Sequence, residues 1–112
     1  MEIIKHVLNK PKRYGSSESD HLSDFDFNSI PSFVQEIWYW YSDGGYDGSG
    51  QMLLRSGDTY ALSSISHCSC YGPCEDSSSI AENQYCPLEE LGVNCTKDYL
   101  DEVQMLLDAA KV

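Results

Sequence analysis

No run of about 18 apolar residues occurs in the 112-residue chain, so no segment is expected to cross a membrane as a helix. The opening Met1-Glu2-Ile3-Ile4-Lys5-His6 lacks the continuous apolar stretch and small-residue cleavage site of a secretory leader, and a cytoplasmic protein is expected. Basic residues are scarce: seven Lys and Arg stand against 18 Asp and Glu, a net charge of −11. Affinity for nucleic acid comes mainly from Lys and Arg neutralising phosphates, so direct nucleic-acid binding is disfavoured. What is present is apolar enough, at 41% hydrophobic and 12% aromatic, to exclude disorder of the whole chain. The length fits a single domain over 1–112, with a modest core that a metal staple would help.

The charge is unevenly spread. Residues 1–15 carry Lys5, Lys10, Lys12 and Arg13 against Glu2, a local +3. From residue 16 onward 17 acidic residues face only Arg55, Lys97 and Lys111, a net −14. A field of that sign steers a chain toward a basic partner surface, although acid also serves solubility alone.

Along the chain, Ile3, Ile4, Val7 and Leu8 fall on one helical stripe, which predicts a short amphipathic helix over 2–10 ended by Pro11. Residues 15–28 predict a flexible acidic loop, with Phe25 and Phe27 alternating with Asp24 and Asp26 near its end. Residues 33–42, Phe-Val-Gln-Glu-Ile-Trp-Tyr-Trp-Tyr-Ser, predict a strand with Ile37, Tyr39 and Tyr41 on one face and Trp38 and Trp40 on the other. Both faces are apolar, so the strand is expected to be central or covered on both sides. A glycine-rich connection over 43–50, a strand over 51–55, a turn at Ser56-Gly57-Asp58 and a strand over 59–66 then give an antiparallel meander, because these connections are too short for a crossover helix. Residues 88–92 predict a helical turn stopped by Gly92. A final helix follows, capped by Thr96, with Asp98 in its first turn, Lys111 near its end and an apolar stripe of Tyr99, Leu100, Val103, Leu106, Leu107 and Ala110. The whole reads as α+β: a small antiparallel sheet of about three strands, N- and C-terminal helices packed on one face, and a metal-stapled loop.

The loop follows from the cysteines. Five is an odd number and the expected compartment is reducing, so a disulfide framework is disfavoured. Three of them lie within the seven residues of Cys68-Ser69-Cys70-Tyr71-Gly72-Pro73-Cys74, which points to a thiolate metal site, with zinc the expected ion. Alternation along the preceding strand sends Cys68 and Cys70 to one face and His67 and Ser69 to the other, favouring the two cysteines as joint ligands. Gly72 and Pro73 bend the chain toward Cys74. The fourth ligand must come from elsewhere: Cys86 is the first choice, with Cys95 and His67 behind it. C-x-C-x3-C is not one of the common zinc-ribbon or finger spacings. Four protein ligands would leave no position open for water, so the metal is expected to be structural.

Catalytic readings find less support. His67 and Cys68 are neighbours on a predicted strand and point apart, and the surrounding acid would raise a thiol pKa, which leaves a small thiol enzyme as a third reading. The segment Gly44-Gly45-Tyr46-Asp47-Gly48-Ser49-Gly50 lacks the Lys-Ser/Thr of a phosphate-binding loop and joins two predicted strands. Glu89-Glu90 and Asp101-Glu102 read as solvated helix faces, so no general acid–base pair is nominated and no enzyme is expected. The aromatics Trp38 to Tyr41, Tyr46, Tyr60 and Tyr71 could stack bases or anchor a partner, with core packing the favoured use.

The stretch Trp40-Tyr41-Ser42-Asp43-Gly44-Gly45-Tyr46-Asp47-Gly48-Ser49-Gly50, followed by Gly57, Tyr60 and His67-Cys68-Ser69-Cys70-Tyr71-Gly72-Pro73, resembles small bacterial and phage proteins. These share an aromatic strand, a Tyr-x-Gly-Ser-Gly turn and a His-Cys-Ser-Cys-Tyr-Gly signature. The resemblance covers residues 36–74 and leaves Cys74 at its edge and Cys86 outside it. At the level of class, small size, acidity and this phage association are similar to anti-CRISPR inhibitors, among which acidic and zinc-containing members occur. With the −14 imbalance over residues 16–112, this similarity leads to the expectation of a non-enzymatic, zinc-binding inhibitor in the host cytoplasm, whose acidic residues, Asp20, Asp24, Asp26, Asp43 and Asp47 foremost, and exposed aromatics meet a basic surface of a host defence protein such as a CRISPR effector nuclease. The alternative is a housekeeping zinc-binding module of a bacterial complex.

Overall fold

Four strands form one sheet, and its register explains why both sides of the aromatic segment are buried. The computed structural model describes residues 3–10, 18–19, 27, 30–43, 48–67, 80–93 and 97–111. Strand β2 (Glu36–Asp43) pairs antiparallel with β3 (Gly48–Ser56), setting Ile37 beside Leu54, Trp38 beside Leu53 and Tyr39 beside Met52. Residues directly opposite share a face, so each apolar row of β2 continues on β3. Strand β4 (Thr59–His67) pairs antiparallel with β3 and adds Ala61 and Ile65 to one face and Leu62 to the other.

Two glycines are required by this geometry. β3 and β4 are joined by the two-residue turn Gly57-Asp58, where Gly57 adopts φ 60°, the left-handed conformation that matches the twist of a tight hairpin. At Gly50 the demand is space: a Cβ there would lie 2.2 Å from the backbone oxygen of Trp40 on β2. Gly48-Ser49-Gly50, read above as connection, is therefore the start of β3, and only residues 44–47 separate the two strands.

The N-terminal segment is not the expected helix. Ile4–Val7 form strand β1, parallel to β2, with Ile4 opposite Glu36 and His6 opposite Trp38. Ile4 N–H donates to the Gln35 carbonyl at 3.1 Å and Leu8 N–H to the Tyr39 carbonyl at 2.8 Å. The sheet is thus four-stranded and mixed, in the order β1-β2-β3-β4, rather than an antiparallel set of three. The apolar spacing of Ile3, Ile4 and Val7 fits a helix stripe, but β-branched side chains also suit a strand, and the open edge of β2 supplied hydrogen bonds that a lone two-turn helix could not match.

A parallel pair needs a crossover connection, and here residues 8–35 provide it. The described part of that connection covers one face of the sheet: Phe27, Ile30 and Val34 pack with Ile37, Tyr39, Tyr41, Met52, Leu54, Ala61, Ile65 and Tyr85. Lys5 adds a cation–π contact, its Nζ 4.4 Å from the centre of the Phe27 ring. Ser19 is buried and extends the β1–β2 junction, its hydroxyl donating to the Leu8 carbonyl and accepting from Tyr41 N–H at 3.2 Å. Of the acidic segment 15–28, residues 18, 19 and 27 are described, and two of them are anchored in this way.

Both described helices of more than one turn lie on the other face. Helix α1 (Leu88–Val93) and helix α2 (Lys97–Lys111) place Leu88, Leu91, Val103, Leu106 and Leu107 against Trp38, Trp40 and Leu53. Val103, Leu106 and Leu107 are three of the residues expected on the final helix's apolar stripe, and Lys111 stands in its last turn. α1 runs one residue past Gly92; Thr96, the expected cap of α2, lies outside the described residues. The architecture is α+β, with the described helices on one face and Phe27, Ile30, Val34 and Tyr85 packed on the other. No described helix is long and apolar enough to cross a membrane.

Candidate functional site

β4 leads the chain to the cysteine segment. His67 is its last residue, paired with Gly48, and Cys68, Cys70 and Cys74 follow outside the described residues, as does Cys95. The fourth cysteine nominated as a ligand, Cys86, is described. Its backbone forms an isolated antiparallel bridge with Tyr60: Tyr60 N–H donates to Cys86 O at 2.7 Å, and Cys86 N–H donates back to Tyr60 O at 2.9 Å. This seals part of the outer edge of β4. The thiol is half-buried, and burial, reinforced by the nearby Glu90 carboxylate, pushes its pKa up. Among the described residues no group of three or more His, Cys, Asp and Glu side chains is arranged to hold a metal.

Of the acidic residues expected to face a partner, Asp43 ends β2 opposite Gly48, and Asp20, Asp24, Asp26 and Asp47 lie outside the described residues. The aromatic segment is core: Tyr39, Trp40 and Tyr41 are buried on alternating faces, and Trp38 is 6% exposed. None of these four rings is available to stack a base or anchor a partner. Tyr60 is half-buried and leans on Trp38, with ring centres 6.2 Å apart.

One polar constellation was not anticipated. Across the end of the helix-bearing face, Ile4, Glu36, Arg55 and Tyr60 form a single row spanning all four strands, with His6 one pair further on. His6 Nε2 lies 2.6 Å from Glu36 Oε2, and Arg55 Nε donates to Glu36 Oε1 at 2.9 Å. The imidazole stacks on Trp38, ring centres 5.2 Å apart and planes 12° from parallel. Arg55 Nη1 donates to Gln35 Oε1 at 3.1 Å and to the Gly57 carbonyl at 2.9 Å, and Gly57 N–H donates to the same Gln35 oxygen at 2.9 Å. Burial pushes the Glu36 carboxyl up, but the hydrogen bonds and charges of His6 and Arg55 outweigh it and hold the group below its ordinary value. Both carboxylate oxygens are occupied, so the group acts as a clamp between β1, β2 and β3 rather than as a base awaiting a substrate. Residues 6, 36 and 55 are far apart in sequence, and only the register joins them; the usable signal was that alternation puts Glu36 on the Trp38 face.

No protein-family model, no curated protein and no solved structure matches this chain.

Proposed function

We propose that this chain is a non-enzymatic, acidic inhibitor that binds a basic surface of a host defence protein, with a CRISPR effector nuclease as the specific target. The observation that carries this reading is the imbalance of 17 acidic against three basic residues from residue 16 onward. Glu18, Asp58, Glu82, Glu89 and Asp108 are exposed among the described residues, so part of that charge faces outward. With Trp38 to Tyr41 enclosed in the two cores, the contact falls to carboxylates rather than to those aromatics. Cys68, Cys70 and Cys74 are proposed as ligands of one structural zinc, which would brace the segment after β4 and supply shape rather than reactivity.

The test is affinity capture from host lysate with mass-spectrometric identification, repeated at rising salt. Capture of a nucleic-acid-binding nuclease that weakens steeply with salt, and inhibition of that purified nuclease by the protein, are the expected results. A salt-insensitive partner, or no nucleic-acid-binding protein at all, overturns the proposal.

A further inference from the structure

The hydrogen-bonding pattern of β4 leaves part of the sheet's edge open. Tyr60 uses both of its backbone groups on Cys86, so its pair with Arg55 on β3 is a non-hydrogen-bonded one. Bonded and non-bonded pairs alternate along an antiparallel ladder, so Leu62, Ser64 and Ser66 also turn their N–H and C=O outward. The segment that closes the edge at Cys86 reaches no further along it. Gln84 N–H and Tyr85 N–H turn instead to Ala81 O and Glu82 O in a 3-10 turn over Glu82–Gln84, and Pro87 has no N–H to give. Among the described residues, the outward backbone groups of Leu62 and Ser64 meet only the Ser63 hydroxyl, 3.3 Å from the Ser64 carbonyl. The Ser64 side chain is exposed.

The strand itself does not guard that edge. Thr59–His67 holds no Asp, Glu, Lys, Arg or Pro, and its register with β3 runs without a bulge, although charge, proline and bulges are the usual protection of edge strands. The opposite edge strand, β1, is short and carries Lys5 and His6. In a chain of net charge −11, a seam without carboxylates offers nothing to a basic partner. It suits a second copy of the same chain, because two acidic copies repel wherever carboxylates meet. The row is also self-complementary. A two-fold axis at Ser64 sets Ser64 of one copy opposite Ser64 of the other, and Leu62 opposite Ser66, each pair exchanging both backbone bonds. We infer that this chain forms a two-fold dimer by antiparallel pairing of β4 with β4 over Leu62–Ser66, joining the two sheets into one. The seam stops at Tyr60, which Cys86 already occupies, and so short a contact makes the dimer weak and concentration-dependent.

The test is the mass of the full-length protein by sedimentation velocity from about 10 μM to about 1 mM, with amide hydrogen exchange over the same range. A monomer–dimer equilibrium is expected, with slower exchange at Leu62 and Ser64 as the dimer fills. Ser64→Lys sets lysines face to face on the axis and is expected to raise the dimer dissociation constant at least about tenfold. Its less negative net charge would by itself favour association. Asp58→Asn makes the same change in charge at the hairpin turn and is expected to leave the dimer intact. A monomer throughout that range overturns the inference, as does a dimer unchanged in a Ser64→Lys protein of native circular dichroism. Where Ser64→Lys does not fold, exchange on the unaltered chain decides: a dimer whose Leu62 and Ser64 amides exchange as fast as in the monomer is paired elsewhere, and the inference fails. Protection of those amides only on adding another protein, with the chain alone monomeric, assigns the edge to a different strand and overturns the dimer.

Discussion

His6 and Glu36 meet at 2.6 Å across the parallel junction of β1 and β2, and this contact ties the N-terminal strand to the sheet through side chains as well as backbone. Arg55 reaches the other oxygen of the same carboxylate from β3, so three strands are joined at one group.

That arrangement fixes a pH dependence. The Glu36 carboxyl is held below its ordinary value despite the opposing effect of burial. A carboxylate whose pKa is lower folded than unfolded contributes stability that is full above the unfolded value and is lost as pH falls through the folded one. Glu36→Gln is expected to cost about 0.5–1 kcal/mol near neutral pH, the range of a partly exposed ion pair. In urea titrations at descending pH the variant should lose stability less steeply than the native chain through the carboxylate range. Parallel curves would show that Glu36 contributes nothing to the pH dependence.

Gly50 and Gly57 separate two reasons for glycine. At Gly50 an added Cβ meets the Trp40 carbonyl at 2.2 Å, backbone that cannot step aside without breaking the β2–β3 ladder, so Gly50→Ala is expected to cost about 2–3 kcal/mol. At Gly57 nothing lies within 4 Å of the added atom, and only the positive φ opposes it, so Gly57→Ala should cost about 1 kcal/mol. Thermal unfolding of the two variants tests the order; equal losses would remove the steric argument at Gly50.

The central hairpin was legible because its signals agree. Alternation placed Ile37, Tyr39 and Tyr41 opposite Trp38 and Trp40, and Gly57-Asp58 marked the turn; the register bears out both. The final helix was legible from the spacing of Val103, Leu106 and Leu107. β1 was not, since Ile3, Ile4 and Val7 satisfy helical and extended patterns alike and the choice was made by a strand some thirty residues away. The cover of the Ile37 face was missed for a related reason: Phe27, Ile30 and Tyr85 sit in segments without periodicity, and only the topology brings them together. Of the candidate cysteine ligands, Cys86 alone lies among the described residues, and its bridge to Tyr60 is a long-range pairing that ligand spacing does not encode.

Tyr85 carries a polar atom into an apolar core. Its ring packs edge-on to Phe33, centres 5.4 Å apart, and its buried hydroxyl has no hydrogen-bond partner among the described residues. Burial, with a smaller effect from Glu82, pushes the phenol up to about 12, so it stays neutral across the physiological range. An unsatisfied buried hydroxyl costs about 1–3 kcal/mol, and Tyr85→Phe removes it without opening a cavity. The variant is expected to be as stable as the native chain or more so by about 1 kcal/mol in urea titration. A loss of comparable size would mean that the hydroxyl is satisfied.

Two cores on opposite faces of one sheet make a prediction about additivity. Ile65 belongs to the core under the crossover connection and Leu106 to the core under the helices; both are buried, at 1% and 0% exposure, and they share no cluster. Ile65→Val should cost about 0.5–1.5 kcal/mol and Leu106→Ala about 2–5 kcal/mol, each with its own cavity. Side chains that far apart with no common partner add within about 0.5 kcal/mol, so the double variant should show the sum of the two losses. A coupling of about 1 kcal/mol or more would mean that strain passes through the sheet and that the two faces behave as one core.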